Sequence, residues 1–356
     1  MPARVDATAK FLLFLGDAQE AGMIKTAIGV ARFRPERCVG EFMLDTAASD
    51  LTAGLDRISL QEGLQRGATH LLVGLATSGG ALAETWIPAL VEAVEHGYHL
   101  VSGMHRPLTS SSALVEAANK HDRQLIDVRT PPEDLEVGTG KPRPGRRLLT
   151  VGTDCAVGKM FTALRLEAEF QRRGIQATFR ATGQTGILIQ GDGIAVDAVV
   201  ADFVSGATER LSPPNDDDHW DLIEGQGSLL HPSFAAVTLG LVHGAAPDCM
   251  VLCHDPRRSK MRGKVDHAVP SLRAAIEAHE AAARLTNEHA RVVACSVITA
   301  GMDEAEREHV LAQATEASGL PAFDSAFDEG ASGLVNAVLR NDADRRKTAR
   351  SGAVEC

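Results

Sequence analysis

Leu148-Leu149-Thr150-Val151-Gly152-Thr153-Asp154-Cys155-Ala156-Val157-Gly158-Lys159-Met160 decides how this chain folds. An apolar run enters a loop in which Gly152, Gly158 and Lys159 fall in the order of a phosphate-binding loop, and a helical pattern follows. Glycines let the backbone curl so that successive N–H groups point inward at an anion. Lys159 adds a compact positive charge, and the helix it opens presents the positive end of its dipole. Leu164 and Ala168, like Leu166 and Phe170, recur at helical spacing, and Arg172-Arg173-Gly174 supplies a cationic last turn and a glycine stop. Met160 stands where a phosphate loop normally carries the Ser or Thr hydroxyl that helps hold Mg²⁺. Thr162 does not replace it, because two residues along a helix is about 200° of rotation. The loop therefore reads as able to grip a pyrophosphate but poorly equipped for metal-assisted cleavage.

Upstream, short apolar strands alternate with helical segments. Phe11–Leu15 runs into Gly16-Asp17, His70–Val73 into Gly74 and Ala76-Thr77-Ser78-Gly79-Gly80, His99-Leu100-Val101 into Ser102-Gly103-Met104-His105, and Leu125–Val128 closes the series. This pattern predicts a Rossmann-like parallel sheet over 1–140, with ligands at the carboxyl ends of the strands. No Gly-x-Gly-x-x-Gly follows the first strand, so a dinucleotide role lacks its phosphate fingerprint. The joint Gly138–Gly145, rich in glycine, proline and base, predicts a boundary, with an α/β phosphate-loop domain over 146–345 and a frayed tail from Asn341.

Downstream of the loop helix, Gln176–Ala181 reads as a strand and Thr182-Gly183-Gln184-Thr185-Gly186 as a loop that closes over a polar ligand. A helix is expected through Ile194–Phe203, carrying Asp197 and Asp202, while Asn215–Asp218 reads as a solvated acidic loop. Asp221–Ser228 places Glu224 and Gln226 at a strand end, followed by His231; Gly225 and Gly227 there are expected to let a substrate approach the backbone. Cys249–Cys253 has the pattern of a buried strand, delivering His254 and the basic run Arg257–Lys264, a candidate anion clamp.

Composition bounds the rest. A chain of 356 residues accommodates two domains, and 44% apolar with 23% charged content is that of a soluble globular protein. A net charge of −11, one Tyr and two Trp argue against a nucleic-acid or anionic-membrane surface. No apolar run approaches the ~20 residues of a membrane span. The opening segment reads as a strand rather than a signal peptide. Six scattered cysteines suit a reduced, cytoplasmic setting, and Cys155 is the one whose surroundings favour a lowered pKa. A homodimer is the default expectation.

At Gly152–Lys159 and Asp221–Ser228 the sequence resembles the phosphate-loop branch containing dethiobiotin synthetase, with its Gly-Thr-Asp opening. It more closely resembles the D-glutamate N-acetyltransferase-like family, which pairs a Rossmann-like N-terminal domain with a phosphate-loop C-terminal domain. The stretches that carry this are Thr153–Met160, Ala181–Gly186, Gly193–Ala198, Glu224–Pro232 and Thr238–Gly244, with Lys25–Val30 and Val101–His105 extending it into the first domain. Met160 belongs to that family's pattern, whereas Ile298-Thr299 departs from an Asn-Thr usual in relatives. The resemblance implies transfer of an acetyl group from acetyl-coenzyme A to an amino acid, D-glutamate foremost, without a metal. The coenzyme carries a pyrophosphate, which a loop from Gly152 through Thr153, Asp154, Cys155, Ala156, Val157 and Gly158 to Lys159 and Met160 would hold. Acetyl transfer needs a base, oxyanion donors and cations for carboxylates. Glu224, Asp202 or His231 are candidates for the base. Donors are sought at Gly225–Ser228 or at Gln184 and Thr185, and the clamps among Arg180, Arg257 and Arg262; Gly183, Gln226 and Ser228 complete the candidate substrate set. An ATP- or GTP-dependent ligase or kinase of the dethiobiotin synthetase type, and a non-catalytic nucleotide-binding protein, are the alternatives.

Overall fold

A computed structural model of the chain describes residues 5–6, 8–45, 50–76 and 80–352. Thr77, Ser78 and Gly79 of the expected glycine-rich loop, and Cys356, lie outside the described residues. The chain forms two compact units, one from Met1–Glu133 with Gly183–Ala198 and one from Asp134–Thr182 with Val199–Cys356.

The first unit is built on β1 (Phe11–Gly16), β2 (Cys38–Met43), β3 (His70–Val73), β4 (His99–Ser102) and β5 (Leu125–Asp127), all parallel in the order β2-β1-β3-β4-β5. Every residue of β1 and β3 is buried, because helices cover both faces of such a sheet and leave no face for polar side chains. The order reverses between β1 and β3, the place where ligand crevices open in doubly wound sheets.

The second unit carries β6 (Arg146–Gly152), β7 (Ala177–Arg180), β8 (Trp220–Ile223), β9 (Cys249–His254), a small hairpin β10–β11 (Lys260–Met261, Lys264–Ala268), β12 (Val292–Val297) and β13 (Ala322–Phe323). Its six-stranded parallel sheet runs β13-β12-β9-β6-β8-β7, with β6 in the middle. Leu166 and Phe170 of the helix Lys159–Arg172 pack on Leu148, Trp220 and Leu222 together with Leu334 and Val338 of the last helix. Each such side chain, fully buried, contributes about 1.5–3 kcal/mol, so the loop helix is fixed to the sheet by its own apolar stripe.

Four expectations change. Gly183–Ala198, read as part of the phosphate-loop half, packs within the first unit: Thr185 Oγ1 meets Thr26 Oγ1 at 3.2 Å and Arg34 Nε donates to the Ile189 carbonyl at 2.9 Å. Its start is the helix Gln184–Gln190 rather than a loop, and in place of a helix through Ile194–Phe203 there are two 3-10 turns, Val196–Ala198 and Ala201–Phe203. The tail is not frayed from Asn341, because the helix Asp328–Gly352 continues past it. Ion pairs hold it where apolar contacts run out: Asp342 with Arg146 at 2.6 Å, and Arg345 with Asp248 at 2.8 Å.

Candidate functional site

Beyond β6 the chain turns through Thr153–Gly158 into the helix Lys159–Arg172. Five residues separate Gly152 from Gly158, one more than in the usual phosphate-loop spacing. The longer turn includes a left-handed non-glycine residue, Ala156 at φ 51°, before Gly158 at φ 93°. A side chain at Gly152 would strike Val157 Cγ2 at 2.7 Å and crowd Lys159 Nζ at 3.1 Å, so the tightness of the loop itself demands glycine. The N–H groups of Val157, Gly158, Lys159 and Met160 find no acceptor among the described residues. A curl of such donors at a helix start is the arrangement that binds oxyanions.

Lys159 is buried, and its Nζ donates to the Asp154 carbonyl at 2.8 Å. Burial lowers its pKa, against a raising influence from surrounding groups that include Asp154 and Glu224. Thr162 points away, into a hydroxyl cluster with Ser296 at 2.9 Å and Ser325 at 3.1 Å, as its helix position requires. Ile298, the departure from Asn-Thr, lies beside the loop, its side chain within van der Waals reach of a Cβ at Gly158. It supplies an apolar wall there.

Asp154 is the hub of the loop. Its fully buried carboxylate accepts from Cys155 N–H at 2.6 Å, Arg262 N–H at 2.9 Å and Arg258 Nη1 at 3.1 Å. Arg258 also donates to the carbonyls of Cys155 at 2.7 Å and Ala156 at 2.9 Å, tying the loop to the basic segment before β10. Nothing in the sequence separates Arg258 from its neighbours in that run. Thr153 is buried too, its Oγ1 3.0 Å from His254 Nδ1. Cys155 differs from expectation, since burial raises its pKa despite nearby cations.

His231 is buried beside Asp154, with Nε2 3.9 Å from Asp154 Oδ1. Its Nδ1 faces the Ser233 N–H at 3.1 Å and its Nε2 faces the Arg262 carbonyl at 3.2 Å. An N–H can only donate and a carbonyl only accept, so these partners assign a ring proton to Nε2 and leave Nδ1 to accept. One donor atom each from Asp154, Cys155 and His231 lies within 4.8 Å of the others. A cation there would compete with Arg258 for Asp154 and would need a lone pair that Nε2 does not offer.

Glu224 follows β8, is buried, and accepts the Thr182 N–H at 3.0 Å on Oε2, while the Thr182 hydroxyl donates to its carbonyl at 2.6 Å. Gln226 donates to the same Thr182 hydroxyl at 3.2 Å, and Ser228 is buried one turn before His231. Gly225 and Gly227 do not open space for substrate as the sequence led us to expect. A Cβ at Gly225 would fall on the Thr150 carbonyl, and at Gly227 it would meet Thr238 Oγ1 at 2.8 Å, so protein atoms already fill both approaches.

The remaining candidates are distributed unevenly. Arg180 is engaged by Asp221 at 2.7 Å and Arg257 by Asp255 at 2.8 Å, so neither offers a free guanidinium. Arg262 is exposed, and its guanidinium has no partner among the described residues. Asp202 lies exposed in its 3-10 turn. Gly183, Gln184 and Thr185 belong to the first unit, where Gln184 Oε1 accepts from Arg129 at 3.2 Å and Arg129 pairs with Asp197 at 3.0 Å. Arg129, buried and arising just past β5, was missed in the sequence because a lone arginine after a strand carries no signal.

A Rossmann-like sheet unit and a phosphate-loop unit whose loop lacks the metal-holding hydroxyl define a two-domain α/β class. Residues 136–335 match the family described as Domain of unknown function (DUF1611_C) P-loop domain, and residues 38–131 match Domain of unknown function (DUF1611_N) Rossmann-like domain. The chain belongs to this DUF1611 family. It is 46% identical over 92% of its length to a D-glutamate N-acetyltransferase from Tritonibacter scottomollicae, spanning 98% of that protein. To a second D-glutamate N-acetyltransferase, from a Pseudoalteromonas species, it is 45% identical over 89% of its length, spanning 95% of that protein. The crystal structure of a DUF1611 family protein from Anabaena variabilis superposes with a TM-score of 0.83 at 31% identity, covering 93% of this chain and 99% of that one. Among the described residues no helix is long and apolar enough to cross a membrane.

Proposed function

We propose that this protein is an N-acetyltransferase that moves the acetyl group of acetyl-coenzyme A to the amine of D-glutamate, with the phosphate loop holding the coenzyme's phosphates. The observation that carries the activity is 46% identity spanning 98% of a D-glutamate N-acetyltransferase. The loop supports the choice of coenzyme on physical grounds. Its open N–H groups and Lys159 suit a pyrophosphate, while Met160 removes the hydroxyl needed for metal-assisted phosphoryl cleavage.

Of the three base candidates, Glu224 fits best: it stands close enough to influence the Lys159 ammonium, whereas both ring nitrogens of His231 are engaged and Asp202 lies exposed. Arg262 is the clamp candidate for a substrate carboxylate, since Arg180 and Arg257 have carboxylate partners of their own. We place the reaction in the cytoplasm, in a homodimer, with no resident metal. The test is thiol release from acetyl-coenzyme A in the presence of D-glutamate, L-glutamate or neither, with and without EDTA. Release that needs D-glutamate and survives EDTA supports the reading. Activity abolished by chelation and restored by Mg²⁺ would instead favour the ligase or kinase.

A further inference from the structure

The phosphate loop lies beyond the carboxyl end of β6, and a different cationic site lies at the amino end of the same sheet. There a pocket of about 500 Å³ is lined by Arg146, Arg291, Arg345, Arg346, Asp342 and Asp344, among others. Arg146 opens β6, Arg291 directly precedes β12, and the rest come from the last helix. With about 3.3 Å per strand residue, the length of β6 sets roughly 20 Å between this pocket and the phosphate loop.

The charges in the pocket do not close among themselves. Arg345 is committed to Asp248, at 2.8 Å to Oδ1 and 3.1 Å to the carbonyl. Asp342 is shared, with Arg346 Nε at 2.9 Å from one oxygen and Arg146 Nε at 2.6 Å from the other. Arg146 Nε is buried and, despite that approach, makes no hydrogen bond, so this contact is electrostatic rather than directional. Arg291 is exposed, and its guanidinium has no hydrogen bond or ion pair among the described residues. With Arg345 taken up by Asp248, three guanidinium groups remain against two carboxylates in a pocket of a protein whose net charge is −11. A cationic surplus gathered from three separate elements concentrates anions, and arginine forks match the oxygens of carboxylates and phosphates. The pocket is roomier than a bare phosphate requires and falls within the range of roughly 300–1,000 Å³ typical of small-molecule sites.

We propose that this pocket is a second anion site, for a small molecule carrying two or more oxygen-borne negative charges, distinct from the phosphate loop. Arg291 is the leading contact, and Arg146 and Arg346 add to the positive charge of the lining. The site stands independently of the acetyl-transfer reading, because none of its residues belongs to the loop or its neighbours.

The experiment is calorimetric titration of the whole chain with citrate and, separately, with inorganic phosphate. Each is run on the wild type, on Lys159→Ala to remove the phosphate loop's contribution, and on Arg291→Ala and Arg346→Ala. Saturable binding should persist in Lys159→Ala and weaken about tenfold or more in Arg291→Ala, the size expected when a charged hydrogen-bond donor is lost. Ligand-free Arg291→Ala should melt with the wild type, since that side chain holds nothing in the protein. Arg346→Ala gives an independent reading from a second element of the lining. Binding of citrate but not phosphate assigns a polycarboxylate, and the reverse assigns a phosphorylated ligand. No saturable binding of either at millimolar concentration overturns the proposal. So does binding that disappears in Lys159→Ala while Arg291→Ala and Arg346→Ala leave it unchanged.

Discussion

Arg258→Ala should loosen the phosphate loop without touching the loop's own sequence. The guanidinium is joined to Asp154 Oδ2 at 3.1 Å, to the Cys155 carbonyl at 2.7 Å and to the Ala156 carbonyl at 2.9 Å. Its Nε also stands 3.3 Å from Asp255. Hydrogen bonds to a charged group contribute about 1.5–3 kcal/mol, and stranding the partner of a buried pair costs about 3–5 kcal/mol. Two facts reduce that total: the Arg258 side chain is 25% exposed, and Asp154 keeps the N–H groups of Cys155 and Arg262. The expected loss is therefore about 2–3 kcal/mol, or roughly 4–12 °C in the melting temperature of a unit this size. Coenzyme A affinity should fall with it, because two carbonyls that fix the direction of the loop's peptide planes lose their donor. Arg258→Lys should not restore the wild type, since one ammonium cannot span three acceptors on a curved loop. Scanning calorimetry and coenzyme titration read both effects. If Arg258→Ala melts within a degree of the wild type and binds coenzyme A equally, the clamp described here has no energetic weight.

Three further outcomes follow from the same geometry. Lys159→Ala should weaken coenzyme A binding by about 1.5–3 kcal/mol and raise its KM, and an unchanged KM would place the pyrophosphate elsewhere. Glu224→Gln should lower kcat by roughly 10²–10⁴ with little loss of stability, because an amide oxygen can still accept the Thr182 N–H; an early-melting variant with normal turnover would make Glu224 structural. Acid should destabilise the first unit through His70, whose pKa burial, aided by His99 and Arg37, lowers from 6.5 to about 4. Because the folded value is the lower one, the unfolded chain takes up the proton first. Stability is thus full above pH ~6.5 and declines as pH falls toward ~4. Urea midpoints measured across that window should show a shallower slope in His70→Phe, and equal slopes would discard His70 as the cause.

The strand, loop and helix around Lys159 were legible because each rests on a local requirement: apolar β6, glycine where the backbone curls, and apolar residues at helical spacing. Both parallel sheets were legible for a similar reason, since strands buried on two faces read as unbroken apolar runs. Glu224 was recognisable as a carboxylate at a strand end, but the role of Gly225 was misread. A glycine reports only that something approaches closely, and here that something is the Thr150 carbonyl. Arg258 stayed hidden because the loop it clamps lies a hundred residues earlier in sequence. The tail misled because its polar stretch is held by ion pairs to Arg146 and Asp248 rather than by an apolar stripe. Least visible was the assignment of Gly183–Ala198 to the first unit, for hydrophobic periodicity says that a face is covered and not by which core.

The excursion at Gly183–Ala198 governs the order in which the protein can be made. A ribosome releases residues 1–133 long before that segment exists, and until then Arg129 lacks Asp197 and Gln184 while Thr26 lacks Thr185. The first unit can therefore close only after much of the second has emerged, including the loop helix and β7. A nascent chain stalled near residue 140 has all five strands of the first sheet but a bare helix face, a client for chaperones rather than a finished domain. Fusion of the two domains in one polypeptide then serves the folding of the first, and genes that split the chain at the Gly138–Gly145 joint would leave the first fragment without Gly183–Ala198, which the second encodes.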